Sequence, residues 1–134
     1  MSWDISIVRF AKVYESIEEI PDDAEPQSLG SIVEIHNKVL KHFPGTDWSD
    51  PAWGMFESPF GSIEFNLGDD DPADSMMLHI RASNEIVAPI LALCKDGAYQ
   101  AIDCSSGALL DQADNPTKGL EAWRAYRDQI VEDD

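Results

Sequence analysis

The sequence predicts a single α+β domain, a mainly antiparallel sheet of about five strands with two to three helices packed on one face. Three observations predict it. The 134 residues suit one compact domain. The apolar residues alternate at period two in some segments and recur at helical spacing in others. The strand-like segments in the middle of the chain follow one another through short links, which favours an antiparallel meander. A domain of this size buries about two-thirds of the surface its unfolded chain exposes, so folding requires neither disulfides nor a metal. Four tryptophans, five phenylalanines and three tyrosines supply the bulk of a core.

The elements follow in order. "DISIVRF" carries Ile5, Ile7 and Phe10 as apolar positions and reads as a first strand. "ESIEEIPDDAEP" is an acidic connection, too polar for the core, that covers an edge. "SLGSIVEIHNKVLKHF" places Leu29, Ile32, Val33, His36, Val39, Leu40 and Phe43 at helical spacing. Lys38, Lys41 and His42 near its end suit the macrodipole, and "PG" stops it. A loop through Pro51 leads to a strand over residues 52–57, a type I turn at "SPFG", and a strand over residues 62–67. There Ile63, Phe65 and Leu67 alternate with Ser62, Glu64 and Asn66. "MMLHIRA" repeats the alternation with Met76, Leu78 and Ile80. "NEIVAPILALCKDG" reads as a second helix that stops at Gly97, with Pro89 tolerable only in its first turn. "AYQAIDC" is a fifth strand, and "SSGALLD" a turn with a short apolar segment. "NPTKGLEAWRAYRDQIVEDD" closes the chain as a helix, with Asn115 as cap, Pro116 in the first position, and Leu120, Trp123 and Ile130 on its apolar side. The order is therefore strand, helix, three strands, helix, strand, helix.

Charge narrows the function classes. Nine Lys and Arg face 26 Asp and Glu, a formal net charge of −17. Such a surface repels phosphate backbones and anionic membranes, which argues against nucleic-acid and membrane binding. It suits solubility, and it equally suits fast capture of a basic protein. The longest apolar run, "IVAPILALC", falls far short of the ~20 residues that cross a bilayer. No basic segment or small-residue cleavage site marks "MSWDISIVRF" as a secretory leader, so the expected compartment is cytoplasmic. Cys94 and Cys104 form no C-x-x-C pair and are expected as buried free thiols, with one disulfide between them as the alternative.

The candidate sites are acidic and aromatic. Asp69, Asp70 and Asp71 are consecutive, and Asp74 follows after Pro72 and Ala73. Adjacent side chains diverge, so this spacing fails the calcium-loop pattern and leaves a docking loop or a solvated turn. Alternation in the two neighbouring strands sets Phe65 opposite Leu78 and Glu64 opposite His79, with Arg81 beside them. A Glu64–His79 pair could move a proton, but no nucleophile shares its face, and an exposed charge pair is the plainer reading. "FPGTDWSDPAWGMF" sets Trp48 and Trp53 among acids, either as core anchors or as a binding surface. Pairing with Phe56 inward places Trp53 and Met55 on the face of Glu64 and His79. G-x-S-x-G, P-loop, G-x-G-x-x-G and H-E-x-x-H motifs are absent from the sequence. His36 on an apolar stripe reads as a core histidine, and three dispersed histidines argue for no metal. No cofactor is expected.

The segments "FPGTDWSDPAWG", "GSIEFNLG", "MMLHIRAS" and "AIDCSSGALLD" resemble a family of small acidic bacterial proteins of uncharacterised function. In size, acidity and α+β layout the chain also resembles the immunity proteins of bacterial polymorphic-toxin systems. That resemblance implies a binding protein that covers a cognate toxin, and it assigns no role to any single residue. The leading expectation is thus a non-catalytic inhibitor of a basic partner, with Trp48, Trp53, Asp69, Asp70, Asp71 and Asp74 as contact candidates. A small enzyme using Glu64 and His79 with Arg81, or a self-associating accessory subunit, monomer or homodimer, are the alternatives.

Overall fold

The computed structural model describes residues 2–133, with side chains through residue 129. Six antiparallel strands form one sheet: β1 (Trp3–Val8), β2 (Asp47–Asp50), β3 (Trp53–Ser58), β4 (Gly61–Asn66), β5 (Met76–Ala82) and β6 (Gln100–Asp103), in the order β2-β3-β4-β5-β1-β6. Three helices complete the α+β fold: α1 (Ile32–His42), α2 (Val87–Gly97) and α3 (Lys118–Asp133). The sheet has one strand more than expected, because β2 lies in the stretch read as loop. "DWSD" has no period-two apolar pattern to betray it. It pairs with β3 in an irregular register, held at its start by Asp47 opposite Met55.

Alternation puts Ile5, Ile7, Ile63, Phe65, Met76, Leu78 and Ile80 on one face, where all are buried. Ile35, Val39, Ile90, Leu93, Leu120 and Trp123 of the helices join them in a single core. Ile130, expected on the α3 stripe, lies outside the residues whose side chains are described. Trp3, just ahead of the predicted strand, is fully buried and donates its indole N–H to the Asp103 carboxylate at 3.1 Å.

Several details depart from the sequence pattern. On α1 the buried positions are Ile35 and Val39, followed by Phe43, whereas Val33 and Leu40 are 65% and 38% exposed. Each residue step turns a helix by roughly 100°, so the two lie beyond the edge of the stripe that meets the sheet. Ser31 caps α1 by accepting the Glu34 N–H at 3.1 Å. Pro89 does fall in the first turn of α2. Gly97, however, is the last helical residue, and Ala98 takes the left-handed position with φ 54°. Glycine is required at 97 for a different reason: a Cβ there would lie 2.3 Å from the Tyr99 ring. α3 begins at Lys118, later than the Asn115–Pro116 signal, so Asn115 belongs to the turn before it. Phe10 stands outside β1 and packs edge-on against Tyr14 at 5.6 Å. Between Ser58 and Gly61 the hairpin turns through two residues, and Gly61 sits at φ +129° with its α-carbon facing the Arg81 carbonyl.

Candidate functional site

The three helices share the inward side of the sheet, which leaves the other side open. Cross-strand register organises that open side into rows. One row runs Met55, Glu64, His79, Asp4 across β3, β4, β5 and β1. Cys104, just past β6, extends it by donating its backbone N–H to the Asp4 carbonyl at 3.1 Å. A second row runs Trp53, Asn66, Met77, Ser6, Ile102. A third runs Glu57, Ser62, Arg81. Most of these side chains are half-buried by one another, while Met55, Glu57, Arg81 and Cys104 are exposed. Near β6 the face ends where Gln100, opposite Val8, is tied to the backbone of Tyr14 at 2.8 Å.

Glu64 and His79 stand directly opposite, as the alternation predicts, yet their polar atoms are engaged elsewhere. His79 Nδ1 meets Asp4 Oδ1 at 2.8 Å, and Glu64 Oε1 lies 3.6 Å from the Arg81 guanidinium. The His79 ring lies nearly parallel to that of Trp53, with centroids 5.9 Å apart. Burial acts to raise the Asp4 pKa. Hydrogen bonds from Ser2 and His79, with the charges of His79 and Arg81, outweigh it and hold the carboxyl below its ordinary range. The arrangement is a shallow network of paired charges on a sheet, with an aromatic ring at its edge. Asp4 is the member that sequence reasoning missed. Its partner is 75 residues away, and no local pattern announces the pairing.

The other candidates divide. Trp48 belongs to the opposite side: it stacks on His36 at 4.0 Å, and its ring lies so close to Gly54 that a Cβ there would be 2.7 Å away. It is a packing residue, and His36 is half-buried beside it, with Nε2 at 2.8 Å from the Pro51 carbonyl oxygen. In the acidic loop, Asp71 accepts the Ile32 N–H at the start of α1 at 3.1 Å. Ala73 is fully buried and exchanges backbone hydrogen bonds with Leu29 and Gly30. All four aspartates, Asp69, Asp70, Asp71 and Asp74, are exposed. Among the described residues, no group of three or more His, Cys, Asp or Glu side chains is placed to hold a metal ion.

Both cysteines are free, Cys94 buried and Cys104 exposed, so the expectation of two buried thiols holds only for the first. Burial, helped by the nearby Asp111 charge, pushes the Cys94 thiol up to about 12. Sizeable grooves lie away from the open face. One of about 430 Å³ is lined by Asp103, Leu110, Pro116 and Lys118, and one of about 440 Å³ by Val13, Leu91, Cys94 and Tyr99. Among the described residues, no helix is long and apolar enough to cross a membrane. No protein-family model, curated protein or solved structure matches the chain, so its functional reading rests on the geometry of this face.

Proposed function

We propose that this chain is a non-catalytic binding protein, an immunity-type inhibitor that covers a basic surface of a bacterial toxin with the open face of its sheet. One observation carries the reading. The face joins Trp53, Met55 and Met77 to Asp4, Glu57 and Glu64 on a rigid, continuous strand platform. Aromatic and methionine side chains supply contact area, and carboxylates supply attraction for a cationic partner. The net charge of −17 adds long-range steering toward such a partner. The test is co-purification with the product of a neighbouring gene. A basic protein should be retained by the chain and by an Asp69→Asn, Asp70→Asn, Asp74→Asn variant, and released by Trp53→Ala with Glu64→Lys. Retention by the face variant would overturn the assignment of the face.

The Asp4–His79 hydrogen bond favours a second reading, acid–base chemistry at this face. A carboxylate that orients a histidine leaves the other ring nitrogen free to take a proton. Against it stands the setting. The pair sits in a flat row of side chains, where water competes for every charge. His79→Gln distinguishes the two readings: a binding role tolerates it when the fold is intact, and a proton-transfer role does not.

A further inference from the structure

Resting on the binding reading above, we infer that the open face is built to take an amphipathic helix with a basic flank, laid along the rows across the strands. The rows separate by chemistry. Trp53, Met77 and Ile102 make one row mainly apolar, with Asn66 and Ser6 between them. The next row on one side carries Asp4 and Glu64 with His79, and the row beyond it carries Glu57 with Arg81. An occupant must therefore cover an apolar band and present cations along one side of it. An amphipathic helix with Lys or Arg flanking its apolar stripe does both.

Backbone chemistry selects a helix over an extended segment. A strand laid on this face would press its own N–H and C=O groups against side chains, without ladder partners. A helix arrives with those groups already bonded to one another. Strand addition needs a free edge, and both edges are poorly suited to it. At β6 the Ala101 N–H is taken by Asp111 and the Asp103 N–H by the Ala108 carbonyl. At the other edge β2 has four residues with an aspartate at each end, a common means of discouraging strand addition. The length also suits a helix. Five strands at about 4.8 Å spacing span about 19 Å, which about 13 helical residues cover.

The experiment titrates ¹⁵N-labelled protein with three synthetic peptides of about 14 residues. One carries Leu and Lys at helical spacing. The second replaces every Lys with Glu. The third has the same charge as the first but alternates Lys and Val, favouring an extended chain. The Leu/Lys peptide should shift the amides of Ser6, Trp53, Asn66, Met77, His79 and Ile102, and the Leu/Glu peptide should not. Trp53→Ala with Glu64→Lys should weaken binding by at least about tenfold. Equal binding of the Lys/Val peptide at this face would overturn the helix inference and leave the binding reading standing. Shifts confined to residues 69–74, or to Val33 and Leu40 on α1, would overturn both. Equal binding of the Leu/Glu peptide would overturn the basic-flank inference.

Discussion

In the loop of residues 68–75, Asp71 meets a backbone N–H of α1; on the open face, Asp4 meets the imidazole of His79. The loop holds three consecutive aspartates and a fourth close by, and its best-placed carboxylate is committed to the fold. The positive end of α1 attracts it, and the buried Ala73 beside it anchors the loop. The face carries Asp4, Glu57 and Glu64 on three different strands, among apolar side chains, and Asp4 and Glu64 each pair with another side chain. Acid clustered along the sequence here serves a helix backbone, while acid spread across strands meets other side chains.

Four substitutions would break or sharpen that contrast. The largest effect is expected in the loop, where Ala73→Leu forces extra methylenes into a fully buried position. Overpacking of that kind costs about 1–3 kcal/mol, and the urea midpoint should fall accordingly. A midpoint unchanged from the parent chain would mean the loop is not anchored through Ala73. Next comes Asp71→Ala, which removes an acceptor at the N-terminus of α1 and should cost about 1 kcal/mol. Asp70→Ala, on an exposed neighbour, should cost less than about 0.5 kcal/mol. Equal losses from the two would erase the distinction between the aspartate bonded to α1 and its unbonded neighbour.

The smallest effect concerns the face. The Asp4 carboxyl is held below its ordinary range, so the stability it contributes is fully present above an unfolded value of about 3.9. That stability is lost as pH falls through the lower folded value. Asp4→Asn should therefore lower stability at neutral pH by that contribution and flatten the acid limb of the stability curve below about pH 4. Thermal melts followed by circular dichroism across that range would show it. An unaltered acid limb would mean that the Ser2 and His79 hydrogen bonds do not hold the carboxylate.

Much of the architecture was legible. Alternation in β4 and β5 was enough to set Phe65 opposite Leu78 and Glu64 opposite His79, and helical spacing located α1 and α2. What escaped had no local signal. β2 is a polar strand defined by its pairing with β3, and Trp48 packs half-buried against the core because Gly54 gives its ring a flat bed. The capping chemistry of Asn115 and Pro116 predicts helix from residue 116, but α3 starts at Lys118. Gly119 lets the start of α3 lie against β6, since a Cβ there would lie 2.3 Å from an Asp103 carboxylate oxygen.

By itself the sequence determined the fold class, the acidic surface and which face each strand residue takes, because period and charge are local properties of a chain. Only the tertiary structure decided who the neighbours are. It inserted β1 between β5 and β6, which carried Asp4 to His79, and it folded the acidic loop back onto α1. Strand order is settled by which arrangement buries the most apolar surface and pairs the most backbone across long loops. That is a property of the whole chain, which no window of residues contains.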